Sequence, residues 1–182
     1  MQVSGNVLRS RHMYVRKQGG DAFQRVVEAL GPELREPFAS GPLETEWYPY
    51  LYLIEISTII DRVLGKGDLA LCETMGSFSC EHNLTGIYRI FFRFGNLDFL
   101  LDRAAKAWRS QYDFGTMQLH RETKNRVTME LTDLPQLHRQ LYLAVKGWAT
   151  KAATLSGSEM TKFEDGFDPT PGHGSTWTFE YL

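Results

Sequence analysis

Cysteine is scarce in this sequence: Cys72 and Cys80 are the two present. On one helix their separation along the axis would be about 12 Å, too far for a disulfide. Two small buried thiols are the plain reading. An excess of one charge is missing as well. Twenty basic against twenty-two acidic side chains leave a formal charge of -2, which excludes the clustered positive field that nucleic acid or an anionic membrane requires. No apolar run approaches the ~18 residues of a membrane span, and the opening MQVSGNVLRSRH lacks the apolar core of a signal peptide. The expectation is a cytoplasmic protein without a membrane span, in which the sequon Asn83-Leu84-Thr85 is chance.

Catalytic and metal motifs are also lacking. The histidines His12, His82, His120, His138 and His173 are scattered. No two stand at the i, i+4 spacing of a helical metal site, and H-E-x-x-H is absent. Ser77, Ser79, Cys72 and Cys80 sit in no G-x-S-x-G elbow. Gly65-Lys66-Gly67 lacks the spacing of a phosphate loop and reads as a helix end. No metal, no cofactor and no catalytic role are therefore expected.

What the chain does have is aromatic side chains. Gly86 to Glu122 holds five of the eleven Phe, two of the eight Tyr and one of the four Trp. Inside it Leu97, Leu101, Ala104, Trp108 and Tyr112 recur at the period of a helix with one buried face, and Thr116 to His120 alternates like a half-buried strand.

The rest of the chain reads in the same way. Residues 6–17 form a first helix with Val7, Leu8, Tyr14 and Val15 inward, although Arg9 and Arg11 weaken its apolar face. Asp21 caps a second helix from Ala22 to Leu30, followed by a proline-bearing segment from Glu33 to Pro42. Pro49 opens a helix whose Tyr52, Ile56, Ile59, Ile60, Val63 and Leu64 mark one apolar face. Asp68 caps a fourth helix to about Leu84, where Cys72, Gly76 and Cys80, with Met75 and Ser79 beside them, form a row of small residues that admits a close backbone neighbour. Residues 87–94 are apolar enough for a short buried helix or a strand, with helix favoured, and Asn96 caps the next helix, which runs to Tyr112. Strands follow near 115–121 and 125–131. Asp133 and Pro135 open a helix to Leu155, with Leu137, Leu141, Ala144, Trp148 and Leu155 inward. Strands near 159–164 and 175–181 close the chain around a loop rich in Gly and Pro. At 182 residues and 42% hydrophobic, this suits one domain over 1–182, mainly helical over 1–95 and helix–hairpin–helix–hairpin over 96–182. The fold class is α+β, an N-terminal helical group against a four-stranded antiparallel sheet.

Three blocks carry a family resemblance: Glu46-Trp47-Tyr48-Pro49, Asn83-Leu84-Thr85-Gly86-Ile87-Tyr88-Arg89, and Trp108 through Gly115. They resemble a poorly characterised bacterial family related to the superfamily of haem nitric-oxide/oxygen-binding domains, four-vinyl-reductase-type ligand-binding domains and TRAPP trafficking subunits. The resemblance implies the same α+β arrangement. Haem-binding relatives carry Tyr-x-Ser-x-Arg for the propionates and a proximal His. The nearest string here, Tyr88-Arg89-Ile90-Phe91-Phe92, lacks that motif, so haem is not expected. The cysteines common near the C-terminal strands of the vinyl-reductase type are missing too.

A non-catalytic module that binds a small molecule or acyl chain is the resulting expectation. Its walls are Tyr88, Phe92, Trp108, Tyr112 and Trp148, with Arg89 as polar anchor for a carboxylate or phosphate. By resemblance to the TRAPP subunits, Cys72 or Cys80 is a candidate for carrying an acyl chain. The alternative is a protein-interaction subunit with a filled core, a homodimer or an adaptor for a protein partner.

Overall fold

The computed structural model describes residues 1–83 and 105–182. The expected helix at 87–94, the first turns of the one opened by Asn96, and the site candidates Tyr88, Arg89 and Phe92 lie outside the described residues.

The N-terminal half is helical. Strand β1 (Gln2–Ser4) leads into helix α1 (Gly5–Lys17), and α2 (Ala22–Ala29) and α3 (Pro32–Ser40) follow. Strand β2 (Trp47–Pro49) then pairs antiparallel with β1, Val3 opposite Tyr48, before α4 (Tyr50–Leu64) and α5 (Ala70–Asn83). The small β1–β2 ribbon has no periodicity signal, because three residues show barely one alternation. Helix α3 replaces the irregular segment expected there. Pro32 stands in its first turn, where its missing N–H costs nothing, and Pro37 removes one internal bond. Leu34 and Phe38, buried one turn apart, hold the helix down.

In the C-terminal half, residues 105–111 are helical (α6). Then come β3 (Thr116–Thr123), β4 (Arg126–Thr132), α7 (Arg139–Leu155), β5 (Met160–Gly166) and β6 (Ser175–Tyr181). The four strands form one antiparallel sheet in the order β3-β4-β6-β5. Alternation gives it two unlike faces. Met117, Val127, Met129, Leu131, Trp177 and Phe179 are buried. On the other face Arg126 binds Glu122, Glu164 and Glu180. The protein is therefore α+β, with helices against one face of a four-stranded sheet.

Two helix ends depart from expectation. The last helix opens at Arg139 rather than near Pro135, because residues 133–138 run irregularly to bury Leu134 and Leu137. Leu155, at its far end, points outward and is exposed. No helix among the described residues is long and apolar enough to cross a membrane.

Helices α5 and α7 lie back to back, as the row of small residues predicts. A Cβ on Gly76 would overlap the Ala144 backbone, and one on Gly147 would overlap the Glu73 backbone. Each helix thus supplies one glycine at which the other's main chain passes.

Candidate functional site

Where the helical group meets the sheet, the packing leaves a cavity of about 110 Å³. Its walls come from distant parts of the chain. Helix α1 contributes Val7, Ser10 and Arg11, and α5 contributes Gly76 and Ser79. The α6 side supplies Trp108, Gln111 and, just beyond the helix, Tyr112. Met117 and Met129 form the floor from β3 and β4, and Ala144, Val145 and Trp148 the wall from α7. Most of this lining is apolar. Two thioethers and two indoles make it adaptable and polarisable.

The aromatic side is held in place by specific contacts. Trp108 is buried, its indole Nε1–H donates to the Phe114 carbonyl at 2.8 Å, and its ring stacks on Tyr112 with centroids 4.1 Å apart. Tyr112 also bridges to Val3, which ties the α6 end to the N-terminal ribbon. Burial pushes the Tyr112 phenol up to about 12, although Arg11 acts against this. The phenol therefore stays protonated and neutral at pH 7.

Arg11 is the polar exception. It is 3% exposed. Its Nη1 donates to Ser79 Oγ at 2.8 Å and Ser10 Oγ at 3.1 Å, and its Nε to Ser57 Oγ at 3.4 Å. Ser10 in turn donates to Val7 O and Ser79 to Met75 O, so the hydroxyls turn their lone pairs to the guanidinium. No carboxylate pairs with Arg11 among the described residues. The ionisable groups that act on it are Tyr112 and Cys72, and burial pushes the Cys72 thiol up to about 11. Both are neutral at pH 7. Desolvation lowers the proton affinity of Arg11 itself, but a guanidinium starts so high that it keeps its charge.

Of the side chains that the sequence singles out, Trp108, Tyr112 and Trp148 come together on this cavity. Trp148 is only partly buried and packs with Cys80 and Ala152 in a small separate cluster. Cys72 is buried on α5 but does not line the space. Arg11 is a wall residue that the sequence reading passes over, and a signal for it exists. Val7, Leu8, Tyr14 and Val15 are buried on α1, and position 11 falls in the middle of that stripe. A charge there has to be buried.

No family model matches the sequence, and no curated protein matches it. Solved structures do. The chain superposes on the Fe(II) unliganded H-NOX protein from K. algicida with a TM-score of 0.72, at 10% identity, over 98% of this chain and 96% of that one. An oxygen-binding H-NOX domain related to soluble guanylate cyclases gives a TM-score of 0.71, at 12% identity, over 98% and 94% of the two chains. A variant of T. tengcongensis H-NOX gives 0.73, at 12% identity, over 98% and 97%. This is the H-NOX fold. At such identities the likeness is one of fold, and the H-NOX fold leaves open what this chain holds.

Haem can be tested against the residues present. Of the five histidines none lines the cavity, and residues 84–104 contain neither His nor Cys. His12 bonds the Phe38 carbonyl, His120 pairs with Glu130, His138 meets the Tyr50 hydroxyl, His173 pairs with Asp168, and His82 stacks on Phe78. Among the described residues that leaves Met117, Met129 and Tyr112 as donors at the cavity, two thioethers and a phenol that holds its proton tightly. The protein normally supplies haem iron with an imidazole, a thiolate, a Met–His pair or a tyrosinate. The space among the described residues is also below the ~150 Å³ of an apolar cavity that accepts benzene. These residues do not fit haem.

Proposed function

We propose that this chain is a non-catalytic ligand-binding module on the H-NOX fold, which holds a small, largely apolar molecule rather than haem. The observation that carries this reading is the cavity itself, apolar-walled and placed where α1, α5, α6, α7 and the sheet converge. Such sites combine apolar walls with a few polar anchors, and here Trp108, Tyr112 and Trp148 are the walls. No acid–base pair faces the space among the described residues, which favours binding over turnover. An occupant touching four helices and the sheet would bias how they pack, which suits a sensory role.

Organic extraction of protein purified from its native host, followed by mass spectrometry, tests the reading. A small molecule released in stoichiometric amount is expected, and the purified protein should show no Soret absorption. A haem spectrum would overturn it.

A second reading has its own observation. Leu43, Trp47 and Leu51 are exposed at 55%, 43% and 60% around the β2 turn, and large apolar side chains gathered on a surface mark contact sites. Under this reading the chain is an interaction subunit or homodimer. Light scattering separates the two. A stable oligomer that releases no small molecule, and that Leu51→Glu dissolves, would favour the second.

A further inference from the structure

The reading of the cavity as a binding site leaves the charge of Arg11 unexplained, and on that reading we propose that the ligand is a small monocarboxylate whose head group is held by Arg11.

A buried charge is ordinarily paired, because desolvating an ion without compensation is costly. Arg11 is buried and charged, and among the described residues three serine oxygens are its partners. Those hydroxyls satisfy some of its N–H groups but bring no negative charge. Nη2 has no hydrogen-bond partner among the described residues, and the side chain lines the cavity. The missing anion therefore has a place to sit.

The class of anion follows from what surrounds it. The hydroxyls of Ser10 and Ser79 have acceptors within the protein, the Val7 and Met75 carbonyls and each other at 2.8 Å, so neither needs a ligand oxygen. What remains of the guanidinium is Nη2, which can give one charge-assisted hydrogen bond to a carboxylate oxygen. A phosphate would bring more negative charge than one guanidinium offsets. Most of the other described walls are apolar and the space is about 110 Å³, which suits a short branched hydrocarbon body. Gln111 and the neutral Tyr112 phenol stand on the same cavity as further donors for the head group.

Isothermal titration of refolded, ligand-free protein with isobutyrate and isovalerate, and with their uncharged amides, tests this. The acids should bind at least about tenfold more tightly than the amides, the range of a charge-assisted hydrogen bond. Arg11→Met should abolish that preference while leaving amide binding in place. It should also leave the melting temperature of the ligand-free protein unchanged or raise it, since it removes an unpaired buried charge. Should Arg11→Met not fold, the acid-to-amide ratio of the wild type and of Arg11→Lys decides alone.

Equal binding of acids and amides overturns the carboxylate assignment and leaves the cavity reading standing. So does inorganic phosphate binding as well as the acids do. A melting temperature that falls in Arg11→Met, with the acid preference intact, would show the arginine to be a structural peg. If neither acids nor amides bind, the cavity is no site for such molecules, and both readings fall.

Discussion

Single residues decide how closely the two central helices approach. Gly76 on α5 and Gly147 on α7 each lie against the other helix's main chain, with no room for a methyl group. Backbone cannot swing aside as a side chain can, so Gly76→Ala or Gly147→Ala has to separate the helices. We expect each to cost upwards of about 2 kcal/mol, read as a lower urea midpoint at unchanged slope. A loss no larger than the few tenths typical of a surface change would mean that the helices are not in this contact. Gly76 was legible as part of a small-residue row with Cys72 and Cys80. Its partner Gly147 was not, because a lone glycine within a helix carries no sign of what lies opposite. Arg11 shows the same limit from the other side. Its place in the α1 stripe is visible in the sequence, but the serines that receive it are Ser57 and Ser79, on helices far along the chain.

Whole elements depend on contacts that the sequence assigns to the wrong neighbour. Asp68 is the natural cap for α5 by position, and its Oδ1 does accept from Ala70 N at 3.0 Å. The stronger tie comes from Asp61, fully buried near the end of α4. Its two carboxylate oxygens accept from Leu69 N at 2.8 Å and Leu71 N at 2.9 Å. One side chain thus joins the end of α4 to the start of α5 across the turn, and it holds Leu69 at a φ of 68°. A carboxylate facing the N-terminal end of a helix also gains from the helix dipole. We expect Asp61→Ala to cost about 2–3 kcal/mol and Asp68→Ala well under half of that, both measured by chemical denaturation. The reverse order would return the capping role to Asp68. Helices with long apolar stripes, α4 and α7, were legible because periodicity survives any tertiary detail. The β1–β2 ribbon and α3 were not, the first being too short for a pattern and the second masked by its prolines.

At the scale of the molecule, the order of layers was readable and the void between them was not. Four strands with alternating faces and amphipathic helices have few ways to bury their apolar sides, so an α+β reading follows from pattern alone. A cavity arises from imperfect fit among side chains on α1, α5, α6, α7 and the sheet, and no local pattern records a misfit between segments far apart in sequence. This distribution makes a measurable claim. A ligand in the cavity touches α1, α5, α7, β3 and β4 together, whereas α3 contributes nothing to the lining. Ligand that binds only the folded state stabilises it by roughly 2.7 kcal/mol at a hundredfold excess over Kd, which slows global opening about a hundredfold. Hydrogen exchange with saturating isovalerate should therefore slow strongly in α1, α5, α7 and β4, whose amides open only when the core does. Exchange in α3 should change little, because its short, proline-interrupted ladder opens locally. Protection in α3 without protection in α1 and α5 would place the ligand elsewhere. Protection spread over both halves of the core would show that one small guest holds the helical group and the sheet together.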